Sequence, residues 1–433
     1  MATFMGISLL FVCSADIILC QTTACEKGGG KETVFLCIIY GNARRGKSPV
    51  RKEGFFLHYL DHAATTPIPE AVAEEMCRVL REEFGNPNSQ YSIGRRTRDL
   101  VAQARRTVAG ALGCEAEQLS FTSCGTESDN WAIEAALWQN RHVGRHIITT
   151  AVEHNAILEP CRWLEQEGYK VTRLRPGQDG SITVEQVEEA LRPDTALVSI
   201  MMVNNETGNV YPIHDIARML QEKKSAALFH TDAVQGFLKV PFQARELGAD
   251  MISVSAHKIG GPKGIGALYL GPKIRNPRPL LPGGGQEGGR RSGTEATAQI
   301  AGFAKAVELR MDHLADKLER MAQLRDYAVE QLTAIPDLVV VGRSDAPHIL
   351  AVSLPGWPSQ NIVNDLDQAG VFVSAGSACH QGKPSHVVAA MGLPKKVSAG
   401  VIRLSFGPET TREDIDAAAQ ALRQHHDTRF PML

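Results

Sequence analysis

Residues 119–270 alternate between short apolar runs and amphipathic stretches, and this alternation restricts the fold more than any other feature. The apolar runs predict seven strands: Leu119–Thr122, His146–Thr149, Lys170–Leu174, Ala196–Met201, Ala227–His230, Met251–Val254 and Gly266–Leu270. Helical patterns separate several of them: Ser128–Ala136, Asn155–Glu167, Val184–Leu191 and His214–Lys223. This order favours an α/β fold with a mostly parallel sheet that helices cover on both faces.

Polar residues follow several of these strands directly. Ligands of such sheets bind beyond the carboxyl ends of the strands, so we expect a site there. Gly125 and Thr126 leave one strand and open a helix, a pattern typical of a phosphate seat and also of an ordinary helix cap. His154 and Asn205 follow two further strands. His154 could stack on a flat ring or be a structural histidine. The amide of Asn205 could bond a substrate, or the residue could belong to an ordinary polar turn.

Asp232 and Lys258 follow consecutive strands. A carboxylate at a strand end can hold a pyridinium nitrogen protonated. A lysine beside a buried strand loses solvation, which lowers its pKa and leaves its amine nucleophilic, as Schiff-base chemistry with an aldehyde requires. Each residue alone also fits an ordinary turn or loop. Their occurrence together with a phosphate seat is much more specific.

The sequence on either side of this region predicts further domains. A loop rich in Gly, Pro and Arg, Pro277–Arg291, precedes a long helical stretch, Ala298–Ala334, in which we place a domain boundary at residue 312. The strands predicted beyond it are Val339–Val341, Ile349–Leu354, Val371–Ser374 and Val401–Ser405, and helices are expected at Ile362–Ala369 and Arg412–His426. We therefore expect a large domain over 57–311 and a small one over 312–433. Residues 1–56 fit neither a signal peptide nor a spanning helix, and we expect an extension outside the folded enzyme, disordered or read from an upstream start codon, with a targeting segment as the alternative.

Charge and cysteine content exclude several classes of protein. The 433 residues carry a net charge of -2, which gives no electrostatic reason to expect nucleic acid or an anionic membrane as a partner. The 9 cysteines form no close CxxC pair, so we expect neither a disulfide framework nor a metal site. A reducing compartment, the cytoplasm, is favoured. Cys77, Cys114 and Cys161 suit buried, small apolar positions.

Nine ordered motifs together resemble the NifS/IscS-type cysteine desulfurases, pyridoxal-phosphate enzymes of the class V aminotransferase group. The motifs are Leu60-Asp61-His62-Ala63-Ala64-Thr65-Thr66-Pro67, Gly85-Asn86-Pro87, Thr126-Glu127-Ser128, Glu153-His154, Asn204-Asn205-Glu206, Asp232-Ala233-Val234-Gln235, Ser255-Ala256-His257-Lys258, Arg291-Ser292-Gly293-Thr294 and Ser377-Ala378-Cys379. The resemblance runs from about residue 57 to about residue 425. It implies an aminotransferase-like fold of type I, with a large domain built on a mostly parallel seven-stranded sheet and a smaller α+β C-terminal domain.

The resemblance also implies roles around pyridoxal 5'-phosphate. Lys258 would bind the cofactor as a Schiff base, Asp232 would pair with the ring nitrogen, and Gln235 would contact the ring oxygen. His154 would stack on the ring and assist proton transfer. The residues expected to hold the phosphate are Gly125, Thr126, Ser255 and His257. Thr294 would reach the phosphate of the neighbouring subunit, which implies a homodimer.

The resemblance also implies residues that bind the substrate and a cysteine that accepts its sulfur. Asn205 and Arg403 match the residues that hold the substrate amino acid, and an arginine fork suits a carboxylate. Cys379 matches the cysteine that accepts sulfur, with His380 and Lys383 nearby to favour its thiolate. Cys124 stands where the family has a small residue, and the segment after Cys379 is shorter than in the best-known members.

The resemblance predicts conversion of L-cysteine to L-alanine, with sulfur held as a persulfide and passed to an acceptor such as an iron–sulfur scaffold or a tRNA-thiolation carrier. A selenocysteine lyase, which shares the fold and cofactor, is the alternative enzyme. Two alternatives from other classes are a non-catalytic sulfur-relay scaffold and a metal or disulfide protein built on the N-terminal cysteines.

Overall fold

The computed structural model of the chain describes residues 57–275, 277–376 and 385–432, together with the backbone of two strands within the first 56 residues. In chain order the strands are β1 Ile17–Cys20, β2 Cys37–Tyr40, β3 His58–Tyr59, β4 Leu119–Thr122, β5 His146–Thr150, β6 Lys170–Leu174, β7 Thr195–Ser199, β8 Leu228–Asp232, β9 Met251–Ser255, β10 Gly266–Leu270, β11 Val339–Val341, β12 Ile349–Ser353, β13 Val371–Phe372 and β14 Val401–Ser405. The α-helices are α1 Glu70–Glu82, α2 Ser92–Leu112, α3 Gly125–Gln139, α4 Asn155–Gln166, α5 Val184–Ala190, α6 Ile213–Glu222, α7 Ala244–Leu247, α8 Thr297–Met311, α9 Leu314–Thr333, α10 Ser359–Gln368, α11 His386–Ala390, α12 Lys395–Ala399 and α13 Arg412–Thr428.

β1 and β2 pair antiparallel in a unit formed by residues 1–56, and the chain from Leu57 onward forms a second unit. The expectation that the first 56 residues lie outside the folded enzyme stays a prediction. Within the described ranges, no helix has the length and apolar character needed to cross a membrane.

One sheet of seven strands organises the first part of the second unit, in the order β4-β10-β9-β8-β7-β5-β6. The strands from β9 through β6 pair in parallel, whereas β10 is antiparallel to both β9 and β4. Because β10 is antiparallel to both of its neighbours, β4 points in the same direction as β9. The mostly parallel sheet expected from the alternating pattern is therefore confirmed.

The strands have apolar sequences because they are buried on both faces of the sheet. Every residue of β5, β7, β8, β9 and β10 is buried. Ile148 and Val198 belong to one core cluster, and their chain neighbours Ile147 and Leu197 belong to another. Side chains alternate across a strand, so the two clusters occupy opposite faces of the sheet, each covered by helices.

The helical sequence predicted over Ala298–Ala334 forms two helices rather than one. α8 ends at Met311, and His313, with a φ of 49°, takes the left-handed conformation before α9 begins at Leu314. This conformation breaks the α-helical hydrogen-bond ladder and redirects the chain.

A separate core surrounds the antiparallel sheet β11-β12-β14. Leu350, Leu404 and Leu422 are fully buried in it. β3 pairs in parallel with β13, and Leu60, just after β3, joins the same core. The predicted strand Val371–Ser374 is shorter than expected, because only Val371–Phe372 pairs as a strand. The domain division at residue 312 stays a prediction.

Candidate active site

A cavity of about 350 Å³ lies where the carboxyl ends of β4, β5, β7, β8 and β9 meet. The predicted site residues that line it are Gly125, Thr126, His154, Asn205, Asp232, Gln235, Ser255, His257, Lys258 and Arg403. The first nine end or follow strands of the large sheet, whereas Arg403 comes from β14, far along the chain. The fold thus brings Arg403, from the three-stranded sheet, beside residues that lie far from it in the chain.

Lys258 ends a single 3₁₀ turn, Ala256–Lys258, directly after β9. Its Nζ donates hydrogen bonds of 2.7 Å to the carbonyl oxygens of Ala63 and Ala64. Burial, helped by the positive charge of Arg403, lowers the pKa of Lys258 to about 8. A substantial fraction of the amine is therefore neutral and nucleophilic near neutral pH.

Two buried carboxylates, Asp232 and Asp129, share the floor of the cavity. Asp232 Oδ1 accepts a 2.9 Å hydrogen bond from the Val234 N–H. Burial raises the pKa of Asp232, and the nearby His154 and Lys258 oppose that effect. Burial and the negative charge of Asp232 raise the pKa of Asp129 well above its ordinary value. Two adjacent carboxyl groups cannot both ionise here, so Asp129 keeps a proton while Asp232 is the anion.

The histidine beside Asp129 does not neutralise it. His230 Nε2 lies 3.6 Å from Asp129 Oδ1, but burial lowers the pKa of His230 to about 3. The imidazole is consequently neutral, and its two nitrogens bond the hydroxyls of Ser199 and Ser253 at 2.9 Å each. Asp232 remains the anionic group of the cavity floor.

The turn between β4 and α3 has the features of a phosphate seat. Cys124 is the N-cap of α3, so the N–H groups of the first turn, from Gly125 on, lack intrahelical acceptors. A Cβ at position 125 would lie only 2.8 Å from Val234 Cγ2 and would clash with it. The absence of a side chain at Gly125 thus lets the backbone lie close to the cavity. Ser255 Oγ is buried and has no hydrogen-bond partner among the described residues.

These features fit the phosphate of pyridoxal phosphate. An orphaned hydroxyl and free helix N–H groups supply donors for the phosphate oxygens. Asp232 offers an anion for a protonated ring nitrogen, and Lys258 offers an amine for the aldehyde. His257 also lies in the cavity, and burial, with the charge of Lys258, lowers its pKa to about 3, so it contributes a neutral ring.

His154 and Gln235 have fixed orientations. His154 caps α4, and its Nδ1 accepts a 3.1 Å hydrogen bond from the Ala156 N–H, so a neutral ring carries its proton on Nε2. Gln235 Nε2 donates to the Ala63 carbonyl at 2.8 Å, and its Oε1 accepts from Lys239 Nζ at 2.9 Å. The ring of His154 is exposed to the cavity and can lie against a flat cofactor.

Arg403 is held by two other elements of the cavity. Its Nη1 donates to the Asn205 carbonyl and its Nη2 pairs with Asp61 Oδ1, both at 2.6 Å. Arg403 Nε is buried and lacks a partner among the described residues. The guanidinium therefore keeps donors for a further carboxylate.

Two predicted site residues do not line this cavity. Thr294 is exposed, on the segment between the Gly-rich loop and α8. Cys379 lies outside the described residues, as do His380 and Lys383. Gly376 and His386, which lie on either side of that segment, do line the cavity.

Several cavity residues went unassigned in the sequence interpretation. Both Asp61 and Asp129 could have been found from the sequence. Asp61 belongs to the first of the nine motifs, and Asp129 lies one helical turn after Gly125. Glu206 is buried, and neither of its carboxylate oxygens has a partner among the described residues. Lys239 does not line the cavity itself, but it is a buried lysine hydrogen-bonded to Gln235, and no sequence pattern singled it out.

The expectation for the cysteines was wrong at one position. Cys114 and Cys161 are buried, but Cys77 is exposed. Val72 and Val79 define the buried face of α1, and Cys77 lies off that face. Cys124 lines the cavity beside the phosphate seat.

Comparison with known proteins places this site in a family. The model of the aminotransferase class-V family matches residues 58–418. The cysteine desulfurase IscS of Clostridium botulinum (strain Hall) is 42% identical over 373 residues, which cover 84% of this chain and 93% of that protein. A solved structure titled NifS-like protein aligns with a TM-score of 0.81 and 35% identity, over 86% of this chain and 100% of that one. A structure titled SspA in complex with cysteine aligns with a TM-score of 0.71 and 34% identity, over 82% and 100%.

Proposed function

The chain belongs to the aminotransferase class-V family and is a pyridoxal-phosphate-dependent cysteine desulfurase, and from this premise we propose roles for its residues. It converts L-cysteine to L-alanine and passes the sulfur to an acceptor. The observation that carries the proposal is the low-pKa amine of Lys258, in one cavity with anionic Asp232, the phosphate seat and Arg403. The alternative of a selenocysteine lyase is not favoured, because the similar proteins are named cysteine desulfurases.

The residues around the cofactor would each hold one part of it. Bound pyridoxal phosphate supplies an electron sink that stabilises negative charge on the substrate carbons. The proposed phosphate ligands are Gly125, Thr126, Ser255 and His257. Asp232 would keep the ring nitrogen protonated, Gln235 would contact the ring oxygen, and His154 would stack on the ring. Asp129, which holds a proton, leaves the negative charge of the floor on Asp232 alone.

Lys258 would then move protons. Its amine would hold the cofactor, and Nζ would also be the base that takes the proton from the substrate Cα. A pKa of about 8 suits this work, because the amine both accepts and returns a proton near neutral pH. His154 would assist these transfers, and Asn205 and Arg403 would hold the substrate.

Sulfur would leave through Cys379. Its thiolate attacks the substrate sulfur, a bond forms between the two sulfur atoms, and the bond from sulfur to the substrate Cβ breaks. The electron pair stays with the carbon, which takes up a proton and becomes the methyl group of alanine. Cys379 would then carry the sulfur as a persulfide. A thiolate of a sulfur-acceptor protein, an iron–sulfur scaffold or a thiolation carrier, would attack the outer sulfur and take it over, and Cys379 would leave as the thiolate.

We further propose a homodimer that works in the cytoplasm. Thr294 is exposed and does not line the cavity of its own chain, which agrees with a role in the neighbouring subunit. Leu80, Phe84 and Tyr91 are large apolar side chains that are 64%, 70% and 61% exposed, respectively, and a partner surface would cover them.

Lys258→Ala tests the proposal directly. The purified wild-type protein should show the visible absorption of bound cofactor and release alanine from L-cysteine. The variant should lose the absorption band and release none. Alanine release at the wild-type rate by Lys258→Ala would refute the assignment. Lys305 is a half-buried lysine on α8 that pairs with Glu308 outside the cavity, so Lys305→Ala should behave as wild type.

A further inference from the structure

The guanidinium of Arg403 already has a carboxylate beside it. Asp61 Oδ1 lies 2.6 Å from Arg403 Nη2, and both side chains line the cavity. Arg403 is 4% exposed, whereas the side chain of Asp61 is 20% exposed. The cavity therefore presents a cation and an anion in direct contact, with the anion the more accessible of the two.

This arrangement matches an amino acid better than it matches a carboxylic acid. The α-carboxylate and α-ammonium of an amino acid stand on one carbon, so they can engage a touching cation and anion at the same time. A carboxylate without an ammonium group would meet the negative charge of Asp61 and gain nothing from it.

The other carboxylates of the described cavity lining are less suited to an ammonium group. Asp129 and Asp232 form the buried floor, where Asp129 keeps its proton and Asp232 faces the position of the ring nitrogen. Glu206 is 2% exposed and lies against Gly376, where a Cβ would come within 3.1 Å of its Oε2. Asp61 is the carboxylate that an incoming substrate meets first.

The position of Asp61 also suits the exchange of amines. Lys258 Nζ donates to the carbonyl of Ala63, two residues after Asp61, and the negative charge of Asp61 acts on Lys258. An ammonium group held at Asp61 would lie near Lys258, and it would first have to pass its proton to a neighbouring base before its nitrogen could replace the lysine amine. The chain thus places the recognition of the substrate amine next to its reaction partner.

We propose that Asp61 binds the α-ammonium group of the substrate while Arg403 binds its α-carboxylate, so that this ion pair selects α-amino acid zwitterions. The inference rests on the proposed function, because it deepens the substrate site that contains Arg403. Asp61 is then a residue of substrate specificity, and not only a support for the arginine.

The test compares L-alanine with propionate, which differ only in the α-ammonium group. Holoenzyme is first reduced with borohydride, so that the cofactor stays attached to Lys258 and no amine can exchange with it. Calorimetric titration then gives the dissociation constant of each ligand. Wild-type protein should bind L-alanine about tenfold more tightly than propionate. Asp61→Asn should bring the ratio close to one, because L-alanine loses the partner of its ammonium group while propionate is freed from the repulsion by Asp61.

Asp414→Asn is the matched control. Asp414 pairs with His58 at 2.8 Å, has the same side-chain exposure of 20% as Asp61, and does not line the cavity, so the ratio should stay at its wild-type value. Equal weakening of both ligands by Asp61→Asn would overturn the proposal, since Asp61 would then act only by orienting Arg403. An unchanged ratio would overturn it as well.

A second variant protects the test against loss of the fold. Asp61→Glu keeps the charge and moves it by one methylene group, so L-alanine should remain favoured over propionate, by less than in wild type. Equal affinities for the two ligands would contradict the proposal. The mass of the reduced protein separately reports whether Lys258 carries the cofactor, so failure of the proposed function is distinguishable from failure of this inference.

Discussion

Lys239 gives the sharpest prediction about stability. It is 3% exposed, and its Nζ donates a 2.9 Å hydrogen bond to Gln235 Oε1. Burial lowers its pKa well below the ordinary value of 10.5, and the positive charges of Lys258, Arg310 and Arg403 add to that effect. The folded protein thus holds Lys239 neutral over a pH range in which the unfolded chain holds it protonated.

The size of the effect follows from proton linkage. Where only the unfolded state binds the proton, this group makes the stability of the folded state fall by about 1.4 kcal/mol for each pH unit below the unfolded pKa. Lys239→Met removes that titration, at the constant cost of one hydrogen bond, about 1 kcal/mol. The variant should therefore gain stability relative to wild type as the pH is lowered from about 9 to about 7, by up to about 1.4 kcal/mol for each pH unit over which Lys239 stays neutral in the folded protein.

Urea unfolding of both holoproteins at three pH values in this range measures the difference. Comparing the two proteins at each pH cancels the titrations that they share. A stability difference that does not change with pH would refute the reasoning, because it would mean that Lys239 is protonated in the folded protein. Lys239→Gln, which also lacks the titration, should show the same pH dependence.

Three further predictions concern cofactor binding and the fold. Because burial and Arg403 lower the pKa of Lys258 to about 8, cofactor-free protein should bind pyridoxal phosphate faster as the pH rises. The rate should rise about tenfold per pH unit below that value and then level off. A binding rate, followed by absorbance, that does not change with pH would contradict this. Ser255→Ala removes a proposed phosphate donor and should weaken retention of the cofactor about tenfold in equilibrium dialysis, whereas unchanged retention would exclude that role. Glu287→Ala should lower the free energy of unfolding by about 3 kcal/mol, because the Arg105 guanidinium and the Phe121 N–H both lose this buried acceptor. An unchanged urea midpoint would show that water replaces it.

The part of the site that follows the large sheet could be predicted from sequence, because each residue stands at the end of an apolar run. Asp232 and Lys258 follow consecutive parallel strands, and parallel strands bring their carboxyl ends to one edge. The same reasoning applied to Gly125, since β4 points the same way as β9.

Contacts between distant segments could not be predicted this way. Asp61 and Arg403 meet because β3 pairs with β13 and Asp61 itself bridges to Ser405, the last residue of β14; no local pattern encodes these pairings. The proton on Asp129 depends on a neighbouring carboxylate and on burial, which are properties of the assembled fold. The break at His313 interrupts a continuous helical pattern with a left-handed residue that local propensity does not favour.

The central claim is that L-cysteine is desulfurised through a cysteine of this chain. The most direct measurement is the amount of L-alanine formed from L-cysteine by wild-type protein and by Cys379→Ala, at equal content of bound cofactor. We predict that wild type forms alanine and that the variant forms almost none. Equal alanine formation by the two proteins would contradict the account, because the sulfur would then leave the substrate without Cys379.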